Sequence, residues 1–211
     1  MSDTPEESRA ICDRPANVEI LERSPIGNGF LPYERFEIVL HDGTSPKPTQ
    51  QRDVLRGGAV AAVLPIDLVR DQIVLIRQFR LAAHLATGRG EMIEIVAGRV
   101  DDKEAIADAA ARECFEEIGL RPAKLVELYT VVPSPGISDE RVTYFLGNVD
   151  TEMLPSHGGS DPTEETYPFA VSIDAALAAL SSNRIHNALA VGALQWLALH
   201  RGELAALLKA V

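Results

Sequence analysis

The segment from Asp101 to Leu120 constrains the fold more than any other part of the chain. Within it, residues Glu104 to Ile118 have the apolar spacing of an amphipathic α-helix, with Ala107, Ala111, Cys114, Phe115 and Ile118 along one side. Gly119 is placed to end this helix in a left-handed conformation. Asp101 with Glu104 three residues later resembles a capping box. The sequence therefore predicts one helix whose two ends are set by local signals.

The same helix carries three glutamates on one face. Glu113, Glu116 and Glu117 are three or four residues apart, so their carboxylates converge. Mutual repulsion would raise their pKa values, and a divalent cation relieves it because Mg²⁺ prefers carboxylate oxygens. Arg112 is placed to pair with Glu116 one turn later. A solvated, glutamate-rich surface is the alternative interpretation.

Short apolar runs on both sides of this helix predict β-strands. They are Ala59–Leu64, Ile73–Arg80, Ile93–Val96, Leu125–Val132, Arg141–Val149 and Phe169–Ser172. Helical patterns follow at Asp174–Ser181 and Asn187–Lys209. Strands around a central helix, with helices at the end, predict an α/β fold in which a mixed β-sheet is sandwiched between helices.

The N-terminal part of the chain has a different pattern. Strand-like runs at Val18–Leu21 and Phe36–Leu40 flank the turn-rich stretch Ser24–Pro32, and Asp42–Gln51 has the composition of a loop. We therefore expect a tail and small β element over residues 1–50 and a main domain over residues 51–211.

Composition excludes several classes of function. The 211 residues contain 20 Lys and Arg against 31 Asp and Glu, a net charge of −11, which argues against binding to nucleic acid or to an anionic membrane surface. The two cysteines are too few for a disulfide framework or a cysteine-rich zinc site. The polar N-terminus lacks the apolar stretch of a signal peptide, so a cytoplasmic protein is expected.

The stretch Gly98–Leu120 resembles the Nudix hydrolase box, G-x5-E-x7-R-E-U-x-E-E-x-G-U, in which U is a bulky apolar residue. The fixed positions match at Gly98, Glu104, Arg112, Glu113, Glu116, Glu117 and Gly119. Cys114 and Leu120 fill the apolar positions, and Cys114 is smaller than is usual there. The resemblance implies the Nudix fold and a hydrolase of nucleoside diphosphates linked to a second group.

Motifs outside the box resemble those of ADP-ribose pyrophosphatases within the same family. They are Ile76–Arg80, Glu94–Gly98, Ser134–Gly136 with Glu140 and Arg141, and Ile185–Leu197. The resemblance implies hydrolysis of ADP-ribose to AMP and ribose 5-phosphate, with Mg²⁺ or Mn²⁺ as cofactor. It also implies metal ligands at Glu113, Glu117 and the Ala97 carbonyl, with Glu116 nearby.

The general base is the point at which the chain departs from its relatives. Related enzymes carry Glu-x-Glu in an acidic loop after the box, and the corresponding loop here is Asp161–Glu165. Pro162 replaces the first glutamate, and Glu164 fits the second, metal-binding position. The base is therefore Glu164, Glu165 or Glu116.

Further site residues follow from the matched segments. Arg56, Arg80, Arg99 and Arg141 are candidates for phosphate contacts because guanidinium groups bind phosphate oxygens in several places at once. Ser134 lies in the matched turn, and Glu140 is a candidate acceptor for ribose hydroxyls. The resemblance also implies a homodimer with exchanged N-terminal strands.

Three functions remain open from the sequence. The first is hydrolysis of ADP-ribose, and the second is hydrolysis of another sugar nucleotide such as GDP-mannose. The third is a catalytically silent Nudix protein that binds ADP-ribose.

Overall fold

The computed structural model describes residues 11–43, 45, 47–158 and 165–209, so the first ten residues of the expected tail lie outside the described part. Two compact units divide after Arg56: residues 1–56 with 136–139, and residues 57–135 with 140–211.

The first unit contains a three-stranded antiparallel sheet in the order β1-β2-β3. The strands are β1 (Val18–Asn28), β2 (Pro32–Leu40) and β3 (Gln50–Leu55). The expected turn over Ser24–Pro32 was wrong for most of its length, because two register shifts let β1 stay paired with β2 through the Pro25 region. The sequence predicted a boundary between the N-terminal element and the main domain at residue 50. β3 begins there, pairs with β2 and belongs to the first unit.

The second unit carries the remaining strands and the helices of the described residues. Its strands are β4 (Ala59–Asp67), β5 (Gln72–Phe79), β6 (Glu91–Glu94), β7 (Val96–Arg99), β8 (Lys124–Val131), β9 (Arg141–Asn148) and β10 (Thr166–Ser172). Its helices are α1 (Leu81–Thr87), α2 (Ile106–Ile118), α3 (Ile173–Ser181), α4 (Ala188–His200) and α5 (Leu204–Lys209), with a 3₁₀ turn at Thr151–Met153.

These strands form one mixed sheet in the order β10-β5-β4-β9-β8. β4 and β9 are parallel, whereas the other pairs are antiparallel. β4 and β5 pair with each other only beside their connecting turn, at Ile66 with Ile73 and Asp67 with Gln72. Beyond that point the two strands separate, and β6 pairs with β5 while β7 pairs with β4.

Helices cover both faces of this sheet, which confirms the predicted α/β sandwich. One core cluster joins the sheet to α2 through Ala109, Ala110, Cys114 and Ile118. The other joins the opposite face to α3, α4 and α5 through residues such as Ile173, Leu194 and Leu204. Within β5, Val74 and Ile76 face α2, whereas Ile73 and Leu75 face α3 and α4, as strand alternation requires.

Two features of the helices differ from the sequence prediction. Helix α1 was not predicted, because none of its residues is buried and its leucines do not mark an apolar face against the core. The predicted helix Asn187–Lys209 is interrupted by a turn over residues 201–203, which divides it into α4 and α5. In the described part of the chain, no helix combines the length and the apolar character needed to cross a bilayer.

Asp67 fixes the turn that joins β4 to β5. Its carboxylate is 1% exposed. It accepts hydrogen bonds from the Thr151 N–H at 3.0 Å, from the Thr151 hydroxyl at 2.7 Å and from Arg70 Nη1 at 2.7 Å. Burial opposes ionisation, but the bonds from Thr151 and Arg70 outweigh it and hold the pKa of Asp67 well below its usual range.

Replacing Asp67 with Asn should destabilise the fold. The amide places two N–H donors where the carboxylate accepts bonds, so we expect the free energy of unfolding to fall by about 2–4 kcal/mol at neutral pH. Asp67 has a lower pKa in the folded than in the unfolded chain. The full loss of unfolding free energy is therefore expected above the unfolded pKa of about 3.9, and a smaller loss as the pH falls below it. Urea denaturation from pH 7 to pH 3 measures it.

Asp71→Asn is the matched control, since Asp71 is exposed and bonds to Arg201 at the surface. It should change the free energy of unfolding by less than about 0.5 kcal/mol. Equal losses in the two variants would contradict the role given to Asp67.

Candidate active site

Helix α2 and the loop before it bring most of the predicted box together. The helix begins at Ile106 after Ala105, which has no side-chain cap. The predicted capping box was therefore wrong: Glu104 does accept the Asp101 N–H at 3.0 Å, but both residues precede the helix. Gly119 ends the helix as predicted, with φ of 70° and its N–H donating to the Phe115 carbonyl at 3.0 Å.

Arg112 joins the acidic residues of this segment. Its guanidinium donates to Glu104 at 2.9 and 3.0 Å, to Glu113 at 2.7 Å and to the predicted partner Glu116 at 2.8 Å. It also donates to the Arg99 carbonyl at 2.9 Å. The bond to Glu104, the largest effect, and those to Glu113 and Glu116 raise the pKa of Arg112. The Arg112 bonds are also the main reason that the pKa of Glu104 falls to about 2.

The three glutamates of α2 lie in two environments. Glu113 and Glu117 are buried, with 9% and 7% exposure, whereas the Glu116 side chain is 37% exposed. Glu117 accepts the Ala97 N–H of β7 at 3.0 Å. Burial raises the pKa of Glu117 to about 8, and the nearby charges of Glu113 and Glu94 act in the same direction. The interpretation as a solvated surface is therefore wrong for two of the three carboxylates.

Gly98 lets the helix approach β7 closely. A Cβ atom at this position would lie 1.9–2.2 Å from the carboxylate atoms of Glu113, far inside van der Waals contact. In the sequence, Gly98 was identified only as a position of the box. The structure supplies its physical reason, since the Glu113 carboxylate occupies the space in which any side chain would lie.

The carboxylates of this site have the chemistry that a divalent cation requires. Glu113 and Glu117 are buried hard-oxygen donors, and Glu117 has no Lys, Arg or His within 4.0 Å among the described residues. A cation would stabilise the ionised form of Glu117, which burial and the nearby charges of Glu113 and Glu94 disfavour. The described residues contain no group of three His, Cys, Asp or Glu side chains already arranged around one point, and Arg112 holds Glu113 and Glu116.

The acidic loop predicted to complete the site is described only at its edges. Glu164, with Asp161 and Pro162, lies outside the described residues. Both flanks of the loop lie against the backbone of Glu117: the Thr166 hydroxyl donates to the Glu117 carbonyl at 3.1 Å, and a Cβ at Gly158 would lie 1.8 Å from the same oxygen. Glu165 is exposed and accepts the Tyr167 hydroxyl at 3.0 Å.

The predicted substrate residues fall in both units. Arg56 belongs to the first unit and pairs with Glu34 at 2.7 Å and with Asp139 at 2.6 Å. The others belong to the second unit. Arg99 ends β7 beside Gly98, Ser134 is exposed between β8 and β9, and Glu140 and Arg141 lie at the start of β9.

Arg80 is positioned by Glu94, a residue for which the sequence suggested no role. Its guanidinium donates to the two oxygens of Glu94 at 3.0 and 2.9 Å. Glu94 is 5% exposed and lies opposite Ile76 in the β5–β6 register, so it shares the face of the sheet that carries α2. Strand alternation could have indicated which face of the sheet Glu94 occupies, but only if the pairing of β5 with β6 had been known.

Replacing Gly98 with Ala should force Glu113 out of its position. Because the added methyl group would overlap the carboxylate, we expect the free energy of unfolding to fall by about 1–3 kcal/mol, as overpacked buried sites generally show. Urea denaturation measures the loss. Gly202→Ala is the matched control, since nothing lies within 4 Å of its added Cβ.

A second background tests the cause of that loss. In Glu113→Ala the overlapping carboxylate is absent, so adding Gly98→Ala should cost much less than in the wild-type chain. The same loss in both backgrounds would show that Glu113 is not what Gly98 accommodates.

Comparison with known proteins agrees with this geometry. The model of the NUDIX domain matches residues 57–189. An ADP-ribose pyrophosphatase of Escherichia coli K12 is 35% identical over 191 residues, covering 89% of this chain and 91% of that protein. A GDP-mannose pyrophosphatase of Cronobacter sakazakii is 30% identical, covering 87% of this chain and 96% of its own length.

A solved structure described as an ADP compounds hydrolase supports the fold. It superposes with a TM-score of 0.68 at 18% identity and covers 90% of this chain and 98% of its own. The matched domain model and the similarity to the E. coli enzyme both span most of the chain. The protein is therefore a Nudix hydrolase, a pyrophosphatase of the family whose box the sequence carries at Gly98–Leu120.

Proposed function

We propose that this chain hydrolyses the pyrophosphate bond of a nucleoside diphosphate sugar, with ADP-ribose as substrate and AMP and ribose 5-phosphate as products. One observation carries the proposal: α2 buries the Glu113 and Glu117 carboxylates against β7, at Gly98 and Ala97, in a chain that aligns along 89% of its length with an ADP-ribose pyrophosphatase. Two buried carboxylates on one helix, of which Arg112 binds only Glu113, suit a divalent cation and, through it, an anionic substrate.

We assign Mg²⁺ as the cofactor, with Mn²⁺ as a substitute because it also prefers oxygen ligands. Its ligands are Glu113, Glu117 and the Ala97 carbonyl, with Glu116 and Glu164 completing the set. When bound, the ion supplies positive charge that offsets the charge of the pyrophosphate and polarises its bonds. Arg112 orients Glu113 and Glu116, and the Ala97 N–H orients Glu117.

The arginines of the matched segments then bind the substrate phosphates. Arg80 is supported best, because Glu94 binds its guanidinium and its positive charge acts to lower the pKa of Glu117. Arg99 follows Gly98 directly, and Arg141 completes the phosphate contacts of this unit. The phosphate contact expected at Arg56 stays a prediction from the sequence. Ser134 and Glu140 bind the ribose portion, where Glu140 accepts hydroxyl hydrogen bonds.

The general base belongs to the acidic loop. Glu164 is the favoured residue, since both flanks of its loop contact the backbone of Glu117. Glu165 is second because its carboxylate already accepts the Tyr167 hydroxyl, and Glu116 is third because Arg112 binds it.

The proposed assembly is a homodimer formed through the N-terminal strands. Ile20 and Leu21 of β1 are 59% and 49% exposed, an unusual exposure for apolar strand residues and one that a partner would reduce. The cytoplasmic location stays a prediction from the sequence.

Incubation with ADP-ribose tests the proposed reaction. We expect AMP to be released in the presence of Mg²⁺ and not in excess EDTA. Chromatography of the nucleotides measures the release. GDP-mannose assayed in parallel tests the alternative that the C. sakazakii relative favours. A higher kcat/KM with GDP-mannose would replace ADP-ribose as substrate, and binding of ADP-ribose without turnover would leave a silent binding protein.

Glu117→Gln is the variant that links the assay to the site. It should lower kcat at least about 100-fold with little change in thermal stability, because it removes a proposed ligand without changing its shape. Glu127→Gln, an exposed change on β8, should retain wild-type kcat. Near-wild-type turnover by Glu117→Gln would contradict its assignment.

Glutamine substitutions at Glu164 and Glu165 should locate the base. We expect Glu164→Gln to lower kcat by about 100-fold and to remove the acidic limb of its pH profile, since the amide cannot accept a proton. Glu165→Gln should lower kcat less than about fivefold. Tyr167→Phe reports the effect of losing only the hydrogen bond between Tyr167 and Glu165. A larger loss in Glu165→Gln than in Glu164→Gln would reverse the assignment.

A further inference from the structure

A pocket lies on the face of the sheet opposite α2. It has a volume of about 380 Å³ and is bounded by β5, β6, β10, α3 and the turn before α4. Its wall residues Leu75 and Ile93 belong to the core cluster of α3 and α4, whereas the proposed catalytic carboxylates lie on the α2 side. The pocket is therefore distinct from the site described above.

Arginine gathers around this pocket although the chain as a whole is acidic. Arg77, Arg89 and Arg184 line it together with His186 and a single carboxylate, that of Glu91. The three arginines and one glutamate give the lining a net charge of +2, against −11 for the protein counted from Lys, Arg, Asp and Glu.

These arginines also differ from others in the same unit. Arg70, Arg80, Arg112 and Arg201 are ion-paired with carboxylates. No carboxylate among the described residues lies within 4.0 Å of the Arg77, Arg89 or Arg184 guanidinium, and Arg184 Nε donates instead to the Ser182 hydroxyl at 3.0 Å. Their charge is thus available to a ligand.

The rest of the lining is apolar. Leu75 and Ile93 form part of it, Val171 and Ala176 extend it towards α3, and Phe169 supplies an aromatic surface. In the strand registers Phe169 lies opposite Leu75, and Ile93 lies opposite Arg77, so the apolar surface and the cationic rim adjoin. Such a pocket suits a small molecule with one anionic end and one apolar or aromatic end.

We propose that this pocket binds a nucleoside monophosphate. A phosphate monoester carries a charge of about −1.5 to −2 at neutral pH, which matches the net charge of the lining. The guanidinium groups bind its oxygens, the base packs against Phe169 and the apolar wall, and Glu91 accepts hydrogen bonds from ribose hydroxyls or base N–H groups. This binding does not require the proposed hydrolysis.

Isothermal titration calorimetry of the full chain in EDTA tests the proposal, with AMP and GMP as probes and with adenosine and inorganic phosphate as partial ligands. At least one nucleotide should bind with one-to-one stoichiometry, and both partial ligands should bind at least about tenfold more weakly. Absence of binding by both nucleotides at millimolar concentration overturns the proposal. Inorganic phosphate that binds as tightly as the nucleotides overturns it also.

Variants assign the binding to this pocket. The double variant Arg77→Gln/Arg184→Gln should weaken nucleotide binding at least about tenfold, because two charge-assisted contacts are lost. Ala175→Leu keeps the charges but fills part of the pocket at an exposed position, and it should weaken binding as well. Arg14→Gln, an exposed arginine elsewhere, is the matched control. Unchanged affinity in both pocket variants, with melting temperatures equal to wild type, would place the binding elsewhere and refute the assignment.

Discussion

The close approach of α2 to β7 at Gly98 is the constraint on which the rest of the site depends. Because residue 98 has no side chain, the Glu113 carboxylate lies where a Cβ would be, and Glu117 one turn later reaches the Ala97 N–H. The same approach buries Ala109, Ala110 and Cys114, small residues that let the helix lie close to the sheet. Packing and charge placement are therefore set by a single contact, and the smaller Cys114 belongs to that packing.

This contact puts negative charge in a place where water cannot stabilise it. Arg112 compensates Glu113 and reaches out to Glu104 and Glu116, but it does not contact Glu117. Among the described residues, the Glu117 carboxyl group accepts a hydrogen bond only from the Ala97 N–H, and burial raises its pKa to about 8. The segment that matches the Nudix box retains this arrangement, and a cation gains most beside a buried carboxyl group whose ionised form has no partner.

The sequence was informative where the signal is local. The 3.6-residue spacing predicted α2, and Gly119 ends it in a left-handed conformation. The expected apolar side was wrong at Ala107 and Phe115, which are exposed. The signals that failed depend on distant partners. Glu104 has the spacing of a capping residue, yet Arg112, eight positions later, binds it before the helix begins. The pairing of Arg80 with Glu94 requires the β5–β6 register, and the continuation of β1 through Pro25 requires β2. The burial of Glu117 rather than Glu116 depends on where the sheet lies, which helical spacing alone does not give.

Strand alternation in β5 explains how one acidic chain holds two surfaces of opposite charge. Ile76 faces α2 and its buried glutamates, whereas Leu75 and Arg77 line the pocket on the other face. β6 repeats the division, because Glu94 faces the carboxylates and pairs with Arg80, while Ile93 lines the cationic pocket. A one-residue shift of β5 would exchange these faces and bury Arg77 beside α2, and the same shift of β6 would move Glu94 to the face of the cationic pocket. The net charge of −11 therefore says little about which ligands the protein binds, because the acidic and basic side chains counted in it lie on opposite faces of the sheet at these two places.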